Sequence, residues 1–486
     1  MTDMPVPEAA QLVGKVTRGL RWSVLNTVVS RLGSLLTGVV LARILAPEDY
    51  GVYAVALVVL NGLLSMNELG VSLAIVRWDR DVERIAPTVA TLALSSSLVL
   101  YAACFFAAPL VAAALRAQSA TPMIRVLCLC VLVDATAAVP AALISRGFEQ
   151  GRRFGLDVAA FVLGTGLSVV LAVMGYGAWA MIWGFVLSNV IAGGLAFALA
   201  PWRTGFGFDP QVARDLLRFG LPLAGSSLVL FVMLNVDYIV VGSVLGSAAL
   251  GLYLMAFNLC SWPVNVVSTT IRRVSLSGFS RVSSNPDAGA RSFAAALAIV
   301  LVVALPMCVG LAAFADPVIG ILYGEVWVPA AHALRYLSAL ALGRIVVELV
   351  YDYLVAAGRN VANLWIQVVW VVALVPVLTL GARWAGITGV ATGHAIVALV
   401  VVCPVVVIAL KGAGVHPWLL WRVVRRPVLA VLPMAAVAML SVELLSGRWA
   451  ALLVGGLASL GVYAACVWPS VRSVLREIRQ KAEVPT

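Results

Sequence analysis

Between Leu20 and Trp468 the chain is a succession of fourteen apolar stretches parted by short polar turns. Each is close to the roughly 20 residues that carry a helix across about 30 Å of hydrocarbon. Charged residues make up 11% of the chain and hydrophobic residues 62%, with a mean hydropathy of +1.04; soluble domains carry about 25% charged residues. The expectation is an all-α integral membrane protein with 14 transmembrane helices. The first span, Leu20 to Arg43, follows Asp3, Glu8, Lys15 and Arg18 with no small-residue cleavage site before a short apolar core, so it reads as a retained span.

An even number of spans puts both termini on one side, and the basic residues choose the side. Of the 33 lysines and arginines, 25 fall on the side of the N-terminus, six on the other, and Arg31 and Arg344 lie within spans. Lys and Arg concentrate in cytoplasmic loops, so both termini are expected in the cytoplasm of a multi-pass protein of the cell membrane. The same asymmetry accounts for the net charge of +11 by contact with membrane lipids, with no nucleic acid as partner. No loop ends in Gly-Lys-Ser/Thr after a glycine-rich run, which excludes an ATP-driven pump contained in the chain. The seven cysteines lie in apolar runs without a CxxC pair, and the three histidines are scattered, so no metal site and no cofactor are expected.

The turn between the first two spans, Ile44 to Tyr53, returns at an offset of 200 as Val244 to Tyr253, with Leu45/Leu245, Gly51/Gly251, Tyr53/Tyr253 and Ala56/Ala256 identical. Both copies open a run of six spans that starts on the same side, which requires parallel repeats. Five segments then carry a family resemblance: Ala46 to Tyr53 after the first span, Gly175-Tyr176-Gly177-Ala178-Trp179-Ala180 before the sixth, Asn235-Val236-Asp237 in the seventh, Leu245-Gly246 to Tyr253, and Gly324 to Ala331 before the tenth. In that order they resemble the polysaccharide-transporter branch of the multidrug, oligosaccharidyl-lipid and polysaccharide exporter superfamily. The resemblance implies two six-helix lobes in a V, residues 1–200 and 219–410, with a cytoplasmic linker at 201–218 and two extra helices with a tail at 411–486. It implies a flippase that moves polyprenyl-diphosphate-linked oligosaccharides outward by alternating access for cell-surface polysaccharide synthesis. Glycosyltransferases and a polymerase of the same pathway are the implied partners.

A charge near the bilayer centre costs at least about 2.5 to 3.5 kcal/mol and persists mainly where it faces a cavity or a partner. Arg31 sits mid-span with Ser23, Thr27, Ser34 and Gly38 on its face, and is the leading substrate-binding candidate, for a guanidinium can clasp a diphosphate. Arg272 and Arg273, ending the eighth span, meet either a diphosphate or the positive-inside rule; Asn235 joins the substrate candidates with its motif. Asp237, Glu68 and Asp134 are the candidates for Na+ or H+ coupling, which stays open. Arg344 and Glu348, one turn apart, are expected to neutralise one another, and Arg153 with Asp157 to form a surface pair. Two alternatives remain: a multidrug antiporter of the same fold, which wants acidic cavity walls, and a membrane-embedded glycan polymerase, which wants an acid or base outside the membrane.

Overall fold

The computed structural model describes residues 6–67, 82–146, 150–200, 205–280 and 286–468, and every regular element among them is helical. Two compact units divide the chain, Met1–Gly251 and Leu252–Thr486. Twelve helical segments are long and apolar enough to cross a membrane. Two local features relate that figure to the fourteen expected spans. The segment Asn360–Gly412 is continuous by length, but its backbone leaves the helix at Ala385 (φ −136°, ψ 24°) and Gly386 (φ 59°, ψ −141°). Glycine alone takes such a φ without strain, so the residue marks the turn between the eleventh and twelfth spans. Ala330–Ala356 has the length but carries Arg335, Arg344, Glu348 and Asp352, too many charges to read as lipid-facing.

In the first unit, α1 (Val6–Ile44) and α2 (Pro47–Asn67) are joined at the repeated turn. Pro47 opens α2 where its missing N–H is no loss, and Glu48 and Asp49 sit in the first turn, where the helix dipole favours negative charge. Asp49 works twice: one carboxylate oxygen accepts from the Ala46 N–H at 3.1 Å and the other from the Ala178 N–H at 3.0 Å. That residue opens the sixth span, so one side chain stitches two of the motif turns together. Next come α3 (Val82–Ala114), α4 (Ala120–Leu127), α5 (Cys130–Arg146), the packed pair α6 (Gln150–Val173) and α7 (Ala178–Leu199), and α8 (Pro210–Leu245). The last begins inside the stretch expected to be a linker. Asp209 caps it, accepting from Gln211 and Val212 N–H, and its carboxyl is held below the usual range by those bonds and then by Arg84 at 3.5 Å. Ile85, Val89, Val139, Leu143 and Leu216 close a core there between α3, α5 and α8.

The repeated turns meet each other. The second copy opens α9 (Ser247–Ser280), whose first turn belongs to the first unit. A Cβ on Gly51 would overlap the Ser247 carbonyl, and one on Gly251 would overlap the Pro47 carbonyl. Pro47 and Ser247 are equivalent positions, as are Gly51 and Gly251, so the contact is locally two-fold and backbone lies on backbone.

In the second unit, α10 (Pro286–Ala313) and the short α11 (Ala315–Leu322) lead through the buried Trp327 to α12 (Ala330–Ala356). This helix packs on α10 and on α13, Asn360–Ile396 with its turn at Gly386; α14 (Cys403–Gly412) follows a π-helical turn at Val397–Val402. The last pair, α15 (Pro417–Leu444) and α16 (Arg448–Trp468), belongs to the same unit. Helix α15 lies along α10, Tyr463 of α16 donates to the Val302 carbonyl at 3.1 Å, and the Arg448 guanidinium clasps Glu325 with two parallel bonds, one of 2.8 Å. Beside it Arg335 pairs with Asp316. Arg448, Glu325, Arg335 and Asp316 thus gather in one place within the second unit. Five cysteines are buried as expected, whereas Cys403 and Cys466 are exposed, on helices whose outer faces are apolar.

Two predictions follow from these contacts. Gly51→Ala places its methyl against a carbonyl that cannot rotate away and should destabilise the protein by roughly 1 to 3 kcal/mol, whereas Gly38→Ala, with nothing within 4 Å, should be neutral or slightly stabilising. Thermal unfolding in detergent checks this, and equal midpoints for the two variants would refute the contact. The Arg448 hydrogen bond holds the Glu325 carboxyl below its usual range. Its contribution should therefore be complete above the ordinary glutamate pKa of about 4.3 and vanish as the pH falls through the lower folded value. The stability difference between wild type and Glu325→Gln should shrink in that acid window; a difference unchanged from neutral pH to pH about 3 would show that the pair contributes nothing.

Candidate functional site

Helix α1 has two polar faces. One packs against α6: Asn26 donates to the Asp157 carboxylate at 2.7 Å, Ser30 donates to the Asn26 side-chain oxygen at 3.3 Å, and the Thr37 and Thr165 hydroxyls meet at 3.5 Å. Asp157 is thus more than half of an exposed pair with Arg153, which lies 4.0 Å away; its shorter contact reaches across helices and seats α1. The other face is the stripe singled out from the sequence. Thr27, Arg31 and Ser34 are exposed, and Gly38 opens on free space. The Ser23 side chain lies outside the described residues. Arg31 makes no ion pair or hydrogen bond with any described residue, so it stands on an open, polar, mid-span surface.

The second helix of each repeat pair carries a matching stripe. Asn61 on α2 and Ser261 on α9 lie ten residues beyond Gly51 and Gly251, and Asn61 is exposed, as are Asn258 and Asn265 near Ser261. At the end of α2 the Asn67 oxygen accepts from Ser96 and Ser97 of α3, at 3.2 and 2.9 Å. The exposed Asn61 and Asn258 amides carry neutral donors and acceptors. Periodicity could have found the Asn26, Ser30, Thr37 line and the α9 line, for both recur at helical spacing.

The remaining candidates lie on several helices. Asn235 is half-buried on α8 and its amide donates to the Phe231 carbonyl one turn back, at 2.9 Å. Asp237, two residues on, is 3% exposed and accepts from the Tyr238 N–H at 2.9 Å. Asp134 is half-buried in α5. Arg272 and Arg273 belong to the last turns of α9, but their side chains lie outside the described residues, and Glu68 lies outside them altogether. No group of three or more His, Cys, Asp or Glu able to hold a metal occurs among the described residues.

Arg344 corrects an expectation. It is not neutralised by Glu348; its guanidinium lies over the Phe257 ring of α9, 5.5 Å from the centroid, and its Nη1 is buried without a hydrogen bond to any described residue. Phe257 stacks in turn near Tyr253, the aromatic of the repeated turn, at 6.1 Å. The second unit also holds an apolar cavity of about 540 Å³ between α9, α10, α15 and α16, lined by Trp262, Met307, Phe314, Met434, Leu453 and Leu457 among others.

Comparison with known proteins places this arrangement. The family model described as "Polysaccharide biosynthesis protein" matches residues 40–332. The succinoglycan biosynthesis transport protein ExoT of Rhizobium meliloti (strain 1021) is 24% identical over 96% of this chain and 95% of its own. The lipopolysaccharide biosynthesis protein WzxC of Escherichia coli (strain K12) is also 24% identical, over 79% of each chain. Among solved structures, the lipid II flippase MurJ in an inward closed conformation shares the fold over 94% of this chain and 100% of its own, with a TM-score of 0.76 at 14% identity. An inward-facing multidrug resistance transporter of the MATE family follows at 0.62 and 18%, over 79% of this chain and 94% of its own.

Proposed function

The chain belongs to the polysaccharide biosynthesis protein family, and from that premise we propose that it flips polyprenyl-diphosphate-linked oligosaccharides from the inner to the outer leaflet of the cytoplasmic membrane. Alternating access between two inward- and outward-open arrangements supplies the path, and the cargo serves cell-surface polysaccharide synthesis by glycosyltransferases and a polymerase of the same pathway. The observation that carries the proposal is Arg31, a mid-span guanidinium on an open polar face with no acid paired to it among the described residues. A lipid-linked saccharide presents one fixed anionic feature whatever its sugars, and a guanidinium can hold a diphosphate with two parallel charge-assisted bonds while staying charged in a low dielectric. Asn61, exposed in the same unit as Arg31, supplies a neutral donor and acceptor for the sugars. The apolar cavity beside α15 and α16 has the volume and lining for part of an isoprenoid chain.

The positive-inside distribution supports cytoplasmic termini. Moving an anion out of an inside-negative cell is downhill by about 2.3 kcal/mol per charge per 100 mV. Coupling to Na+ or H+ through Asp237, Asp134 or Glu68 is then an addition to the driving force, not a requirement. The multidrug transporter match supports a second reading on fold alone. An exporter of organic cations would want an acid where Arg31 stands, and the exposed guanidinium favours the anionic cargo.

Arg31→Ala should nearly abolish glycan export in a deletion strain at matched expression, since losing a desolvated charged contact of this kind costs about 2 to 5 kcal/mol. Arg31→Lys, which keeps the charge and loses the fork, should export poorly. Full export by Arg31→Ala would make Arg31 structural and remove the main support for the anionic cargo.

A further inference from the structure

Helix α12 holds a second guanidinium that transport through Arg31 does not use. Arg344 lies fourteen residues past the helix start at Ala330, near mid-span, on a helix otherwise deeply packed in its unit. A guanidinium carries five N–H donors. Here Nη1 is buried with no hydrogen bond to a described residue, and the guanidinium lies over the π face of Phe257. An aromatic face attracts a cation but accepts none of its hydrogen bonds in the plane of the fork, so it holds the group without satisfying it. Nor does the scaffold require a cation there: fourteen residues past Ala120, the start of the corresponding span in the first half, stands Asp134, while the outer arginines of the two spans coincide as Arg125 and Arg335. Phe257 is half-buried, and Asn258, Ser261 and Asn265 follow it with exposed or half-exposed side chains, so the ring sits at the edge of an open polar surface.

We infer that Arg344 is a second anion-receiving group, resting on Phe257 when unliganded and swinging from the ring to a pair of anionic oxygens when the cargo binds. The inference rests on the transport reading and extends it to a second guanidinium, within the second unit. The oxygens come from the diphosphate or from an acidic sugar, and the two sources are separable.

The test uses the full chain purified in detergent, with geranylgeranyl diphosphate, geranylgeraniol and glucuronate as probes, binding read by intrinsic tryptophan fluorescence and folding by thermal midpoint. Wild type should bind the diphosphate at least about tenfold more tightly than the neutral alcohol, and Arg344→Gln should lose about tenfold or more of that affinity at an unchanged midpoint. Phe257→Leu, which removes the resting face and keeps the guanidinium, should bind the diphosphate a few-fold more tightly, because the ring no longer competes. If glucuronate is instead the probe whose binding depends on Arg344, the sugar is the source of the anion. A well-folded Arg344→Gln with wild-type affinity for every probe overturns the inference. Should that variant fail to fold, unchanged or weaker binding by Phe257→Leu overturns it. A wild-type protein that binds no anionic probe removes the transport reading itself, which the variants alone do not.

Discussion

Two peptide carbonyls lying where side chains would be expected set the geometry from which the first unit is built. At Gly51 and Gly251 the starts of α2 and α9 approach until backbone meets backbone, each glycine under the carbonyl of the residue that starts the other's helix. Contacts this close between helices in lipid gain from van der Waals packing where the hydrophobic effect gives little, and small residues are what permit them. The turn is held from outside as well, since Asp49 receives N–H groups from its own turn and from the head of α7. A pair of turns fixed in this way determines where the next ten residues of each helix point, and that is where Asn61 and Ser261 emerge.

Polar groups beyond the backbone are then divided into those that are closed and those that are left open. Asn26 with Asp157, Asn67 with Ser96 and Ser97, and Arg448 with Glu325 are closed: donors meet acceptors and the helices they join are fixed. Arg31 is open, with no ion pair or hydrogen bond to any described residue. A mid-membrane charge is costly unless something answers it, and the proposed transport takes the cargo to be what answers Arg31.

Much of this was readable from the residues, and the limit is a matter of distance along the chain. Helical spacing put Arg31, Thr27 and Ser34 on one face, and that face is exposed; hydropathy located the eleventh and twelfth spans although their helices abut at Gly386. The repeat marked Gly51 and Gly251 as equivalent, but equivalence says nothing of contact, and that they touch one another's turns needed three dimensions. The same holds for Arg448 and Glu325, 123 positions apart, and for Asn26 and Asp157, 131 apart. Arg344 shows how a local rule misleads: the four-residue spacing to Glu348 permits a pair, but the side chain lies over a ring on another helix. Within-helix periodicity cannot weigh such an alternative.

Reconstitution gives the most direct test of the central claim. The purified chain alone, in sealed liposomes, should bring a fluorescent polyprenyl-diphosphate-linked oligosaccharide from one leaflet to the other, read by protection from an impermeant quencher, at a rate well above that of protein-free vesicles. A potential negative on the side from which the cargo leaves should speed it. If the rate equals that of empty vesicles, while the same preparation moves an organic cation down its gradient, the chain is an antiporter of another cargo and the account given for Arg31 is wrong.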